Sequence, residues 1–122
     1  MAFANSKLNR IGIIGASGYG GLQLIRLLKD HPLFKITYLG GERTAGAKWN
    51  DLFPFLALDS NPVIQTPNIN SISDQVDYVF LSLPNGLASQ YVPQLLEKGI
   101  RIIDLSADYR YKSLELWKQV YN

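Results

Sequence analysis

The sequence predicts an α/β fold, a doubly wound and mostly parallel sheet with helices on both faces. Three observations carry that expectation. The segments that read as strands, such as Ile11-Gly12-Ile13-Ile14 and Val79-Phe80-Leu81, are continuous apolar runs rather than alternating ones. That is the pattern of parallel strands buried on both faces. Helical spacing intervenes between them, clearest in Leu22, Leu24, Ile25, Leu27 and Leu28. The 122 residues, 47% hydrophobic and 18% charged, suit one globular domain with a real core. Right-handed crossovers then wind the sheet in both directions, and ligands of such sheets lie beyond the carboxyl ends of the strands.

Each element follows from local chemistry. The first strand is expected from about Arg10 to Gly15 and the first helix from about Tyr19 to Lys29. Asp30-His31-Pro32 closes that helix, since Pro32 stops it and an imidazolium at His31 suits the dipole. Lys35-Ile36-Thr37-Tyr38-Leu39 is a β-branched and aromatic strand, ended by Gly40-Gly41. Glu42 to Lys48 reads as a loop, and Trp49 to Leu56 as a short helix interrupted by Pro54. Ala57 to Ile72 reads as irregular around Pro62 and Pro67, with a short strand at Val63-Ile64. Val76 to Leu83 is the clearest strand. Pro84-Asn85-Gly86 breaks it, and a helix follows from about Leu87 to Glu97, in which Pro93 marks a kink or a restart. Gly99 fits the C′ position of that helix. Ile100 to Leu105 is a further strand and Leu114 to Tyr121 a last short helix.

Composition excludes several classes of function. A net charge of +2 without a basic run gives no nucleic-acid surface. No apolar stretch reaches membrane-spanning length, so no membrane partner is expected. Met1 to Lys7 lack the apolar segment of a secretory signal, which predicts a cytoplasmic protein. There is no cysteine, hence no disulfide, no thiolate metal site and no cysteine nucleophile in these residues. The single histidine, His31, builds no metal site alone.

Four segments meet at the expected carboxyl edge: Gly15–Gly21, Gly40–Thr44, Leu83–Gly86 and Ser106–Arg110. In the first, Gly15, Gly18 and Gly21 form a G-x-x-G-x-x-G turn between strand and helix. Small residues there let the backbone approach a phosphate, and the first N–H groups of the helix point at it. The same spacing also suits a tight turn with no ligand. In the second segment, a carboxylate accepts from a ribose 2′-hydroxyl and an arginine suits a 2′-phosphate. Glu42 and Arg43 offer both, with Thr44 beside them; the chemistry of Arg43 and Thr44 leans to NADP. Leu83-Pro84-Asn85-Gly86 is either a plain turn or a loop along the nicotinamide half of a cofactor. Arg110 is either a cation for an anionic substrate group or a surface residue at a turn, and Asp108 pairs with it or caps that turn.

Taken in order, Gly15 to Gly21, His31-Pro32, Val79 to Gly86 and Ile103 to Arg110 resemble N-acetyl-γ-glutamyl-phosphate reductase, an enzyme of arginine biosynthesis. The resemblance runs from about Ile11 to Tyr121, and Ser106-Ala107-Asp108-Tyr109-Arg110 is its most specific part. It implies that residues 1–122 form the Rossmann-type NADP-binding domain of a longer two-domain enzyme. That enzyme reduces an acyl phosphate to a semialdehyde with NADPH. The implied cofactor residues are Gly15, Ser17, Gly18, Tyr19 and Gly20 at the pyrophosphate, Arg43 and Thr44 at the 2′-phosphate, and Pro84 and Gly86 at the nicotinamide. Ser106 and Arg110 would face the substrate phosphate. The family often has histidine where this chain has Asn85, and its catalytic cysteine and histidine lie in a later segment. The chain alone is therefore expected to bind NADP without catalysing reduction, and a bare sheet edge would favour self-association. The alternatives are the cofactor domain of an aspartate-semialdehyde dehydrogenase, or a non-catalytic NADP sensor of the atypical short-chain reductase type. No Tyr-x-x-x-Lys pair is present, which disfavours the catalytic members of the latter group.

Overall fold

The computed structural model describes residues 8–84 and 86–105. The strand β1 (Asn9–Ile14) runs at the centre of a four-stranded sheet. On one side it pairs with β2 (Phe34–Gly40), on the other with β3 (Tyr78–Leu81), and β4 (Arg101–Asp104) lies beyond β3. All three pairings are parallel, in the order β2-β1-β3-β4. The chain moves one way from β1 to β2, then crosses back over β1 to β3. The reversal between β1 and β3 is the switch point at which ligands of such sheets bind.

Helices cover both faces. α1 (Tyr19–Leu28) lays Ile25 and Leu28 over Ile11, Ile13 and Leu39. α3 (Ile69–Gln75) and α4 (Val92–Glu97) lay Ile72 and Leu95 over Ile14, Tyr38, Val79 and Leu81 on the other face. Each fully buried Ile or Leu stabilises the fold by about 1.5–3 kcal/mol. At the amino ends of the strands, Arg10 clamps β1 to the entry of β3. Its backbone N–H and Nε donate to Asp77 Oδ2, and Nη2 donates to Oδ1 at 3.1 Å. Hydrogen bonding to Asp77 raises the Arg10 pKa further above its ordinary value. Among the described residues, no helix is long and apolar enough to cross a membrane.

The excursion between β2 and α3 is held largely by side chains. α2 (Trp49–Leu52) gives way at Phe53 to a single 3-10 turn, Pro54–Leu56, as the proline predicts. Trp49 is fully buried, stacks on Phe53 at 4.3 Å, and donates from Nε1 to the Leu56 carbonyl at 2.9 Å. Asn50 satisfies both backbone groups of Leu58, accepting at 2.7 Å and donating at 2.9 Å.

Several expectations need correction. α3 begins inside the stretch read as irregular, where Asn68 Oδ1 accepts from the Ser71 N–H as a helix cap. Val63-Ile64 is no strand of the sheet: Val63 makes an isolated antiparallel bridge to Lys48, and Gln65 a parallel one to Gly40. β3 is shorter than read, because Val76 ends α3 and Asp77 binds Arg10. The expected helix from Leu87 is a 3-10 turn, Ala88–Gln90, followed by a restart as α4 with Pro93 in its first turn. Just past α1, His31 Nδ1 accepts from the Leu33 N–H at 3.0 Å and so helps close the turn before β2. The expected helix at Leu114 to Tyr121 lies outside the described residues.

β2 carries a bulge that the sequence does not announce. Ile11 faces Ile36, yet Gly12 faces Tyr38, so Thr37 is an extra residue on β2. Thr37 Oγ1 donates to the Gln75 carbonyl at 2.7 Å. The shift sends Tyr38 to the face opposite Ile36. Burial pushes the Tyr38 hydroxyl above its ordinary value near 10, the Asn68 backbone opposes this in part, and Tyr91 adds to the rise. A raised pKa keeps its stabilising contribution below the unfolded pKa and loses it as pH rises through the native one. Tyr38→Phe should therefore flatten the loss of stability above about pH 10, read as urea midpoints across the alkaline range. An unchanged alkaline slope would assign the loss elsewhere.

Candidate functional site

The glycine turn is built by its neighbours. Gly15 has φ +88, and a Cβ there would strike the backbone carbonyl of Ser82. A Cβ on Gly21 would strike the carbonyl oxygens of Gly15 and Ala16. The Gly40 carbonyl accepts from both the Gly15 and the Ala16 N–H groups, at 2.9 and 3.1 Å. α1 starts without a side-chain cap and without an acidic residue in its first turn. Its first helical bond is Leu22 N–H to the Gly18 carbonyl at 2.9 Å. Among the described residues, the N–H groups of Tyr19, Gly20 and Gly21 precede that bond and have no partner, so they are free to meet an anion.

A cavity of about 370 Å³ opens beside this turn, at the carboxyl ends of β1 and β3. Three of the four segments expected to converge do so here. The cavity takes Gly15, Ser17 and Gly18 from the turn, Gly41 to Arg43 from the loop after β2, and Ser82 to Pro84 from the end of β3. Thr44 stands just behind, where its Oγ1 donates to Ser17 Oγ at 3.2 Å and ties two of the loops together. Tyr19 and Gly20 lie on the first turn of α1 but not in the cavity wall, and the Tyr19 side chain is 82% exposed. Gly86, with φ +92, is not in the wall either. Ser106 and Arg110 lie outside the described residues. A larger hollow of about 580 Å³, lined by Lys29, His31 and Lys35, sits at the opposite end of the strands, far from the glycine turn.

Sequence reasoning missed part of the wall. Pro67, Ser82, Leu87, Gln90 and Tyr91 all line the cavity. Burial, and then the negative charge of Glu42, push the Tyr91 hydroxyl above its ordinary value, so the carboxylate and the phenol act across one space. Leu87 and Tyr91 are four residues apart just after the Pro84 turn, a one-face spacing that was legible in principle. Pro67 carries no such signal. The arrangement suits a dinucleotide: a backbone cradle that a Cβ would fill, a helix start for a diphosphate, a cation with Thr44 at one end, and apolar wall for a base.

Known proteins match this geometry. The sequence profile described as "Semialdehyde dehydrogenase, NAD binding domain" matches residues 10–121. The chain is 57% identical over 118 residues to an N-acetyl-gamma-glutamyl-phosphate reductase of Prochlorococcus marinus, covering 97% of this chain and 33% of that protein. It is likewise 57% identical over 118 residues to one of Parasynechococcus marenigrum, with 97% and 33% covered. The chain thus spans about a third of the length of the curated relatives it matches. Among solved structures, an aspartate semialdehyde dehydrogenase with NADP from Candida albicans superposes with a TM-score of 0.71 at 28% identity, over 87% of this chain and 32% of that one. An aspartate semialdehyde dehydrogenase II from Vibrio cholerae shares the fold, with a TM-score of 0.66 at 21% identity, over 87% and 33%. The glycine turn at the switch point, the sheet order and the match across residues 10–121 together make this chain a member of the family of semialdehyde dehydrogenase NAD-binding domains.

Proposed function

We propose that the chain binds NADP as the cofactor domain of an N-acetyl-γ-glutamyl-phosphate reductase, spanning residues 1–122 of a longer two-domain enzyme. The observation that carries this reading is the meeting of the glycine turn, the Glu42-Arg43 loop and the end of β3 in one cavity at the switch point. The 57% identity to reductases of that name supports an acyl phosphate as the substrate of the whole enzyme.

In this reading Gly15, Ser17 and Gly18, with the N–H groups of Tyr19 and Gly20, hold the diphosphate. Arg43 and Thr44 hold the 2′-phosphate, and the bond from Thr44 to Ser17 keeps the two phosphate sites in register. Pro84 and Gly86 flank the nicotinamide, which supplies a hydride when the cofactor is bound. β4 ends at Asp104 on the cavity side of the sheet, and Ser106 and Arg110, further along the chain, are assigned to the substrate phosphate. No cysteine occurs in the chain, so a thiolate that attacks the acyl phosphate has to come from outside these residues.

Titration with NADPH and NADH tests the reading. Arg43→Ala should weaken NADPH by about tenfold to a hundredfold, the loss of a charge-assisted hydrogen bond, and leave NADH nearly unchanged. An equal loss for both would overturn the assignment of Arg43.

A further inference from the structure

We propose that the Ser82 hydroxyl binds the dinucleotide where it passes the Gly15–Gly18 turn, and that Gly20 is the positioning residue that keeps the hydroxyl there. The inference rests on the NADP reading and adds a group from outside the glycine motif. Ser82 follows β3 directly. Its N–H donates to the Ile14 carbonyl at 2.9 Å, which extends the β1–β3 ladder to the edge of the cavity. Its backbone carbonyl fills the space a Cβ on Gly15 would need. Its hydroxyl fills the space a Cβ on Gly20 would need, whereas its own Cβ stands 3.6 Å from that point, an ordinary contact. The conflict at Gly20 is therefore with one atom, Ser82 Oγ.

That oxygen lies against Gly20 in the first turn of α1, and Ser82 itself is one of the residues that line the cavity. Among the described residues no hydrogen bond engages it. A serine hydroxyl carries one donor and two lone pairs. Beside the free N–H groups of Tyr19, Gly20 and Gly21, its donor is set to complete the shell of a phosphate or ribose oxygen seated there. A methyl group at residue 20 would turn the hydroxyl out of this seat. The glycine thus serves a side chain on another element as well as the turn it belongs to.

The test is a double-mutant cycle on the 122-residue chain, with NADPH affinity and melting temperature as readouts. Ser82→Ala should weaken NADPH by about tenfold to a hundredfold while melting as the parent does. Gly20→Ala should weaken it to a similar extent, and the double variant should bind no more weakly than Ser82→Ala alone. The double variant should also recover any stability lost by Gly20→Ala, because alanine at residue 82 removes the conflicting atom. Parent-like affinity in Ser82→Ala, or strictly additive losses, would overturn the inference while leaving the NADP reading in place. A parent chain that binds neither NADPH nor NADH would overturn both. If Gly20→Ala fails to fold, Ser82→Ala alone still decides.

Discussion

Gly15→Ala should destabilise the chain by about 2–5 kcal/mol and abolish measurable NADPH binding. Two effects add. A left-handed backbone costs a residue with a side chain about 1–2 kcal/mol, and φ at Gly15 is +88. Forcing a methyl into occupied space costs a further 1–3 kcal/mol or so, and here the space holds the Ser82 carbonyl, which cannot swing aside as a side chain does. The backbone has to move, and with it the turn that lines the cavity. Gly86→Ala is the matched control: its φ is +92, but nothing lies within 4 Å of the added carbon. It should show only the conformational part. Urea midpoints of the two variants separate collision from conformation, and equal losses would show that the contact with Ser82 carries no weight.

Trp49→Ala should cost about 3–5 kcal/mol, the range for emptying a buried aromatic site. Among the described residues Trp49 is the largest fully buried side chain, and its indole is the partner of the Leu56 carbonyl. Trp49→Phe keeps a ring against Phe53 but leaves that carbonyl without its donor, a smaller loss of about 1–3 kcal/mol. The affinity for NADPH should fall in step with the stability. The excursion anchored by Trp49 also carries the loop with Arg43, through Gly41 N–H to Gln65 at 2.9 Å and Trp49 N–H to Pro62 at 2.8 Å. A loss below about 1 kcal/mol in Trp49→Ala would mean that the excursion is held by the bonds of Asn50 to Leu58 instead.

The strands and the crevice were legible because buried parallel strands must be apolar throughout, and because the glycine turn sits with other polar and small segments at the carboxyl ends of those strands. The fold class, the switch point and three of the four converging segments followed from that. The bulge was not legible. Lys35-Ile36-Thr37-Tyr38-Leu39 reads as a plain strand, and only pairing with β1 shows that Ile36 and Tyr38 part company at Thr37. α3 was missed because seven residues with Ile69 and Ile72 as their apolar pair carry too little periodicity; packing and the Asn68 cap specify it. Ser82 was passed over for a different reason. It reads as the polar end of an apolar run, and its meaning depends on Gly20, 62 positions earlier and on another element.

The shared acceptor at Gly40 has a kinetic consequence. With two amides of the turn already held by one carbonyl of β2, the cradle exists before any ligand arrives. Little ordering of the loop is left for the encounter, so association should be fast and insensitive to substitution around the cavity. Residence time becomes the quantity that cavity residues control, and natural or engineered changes in nucleotide preference would be written in how slowly each nucleotide leaves.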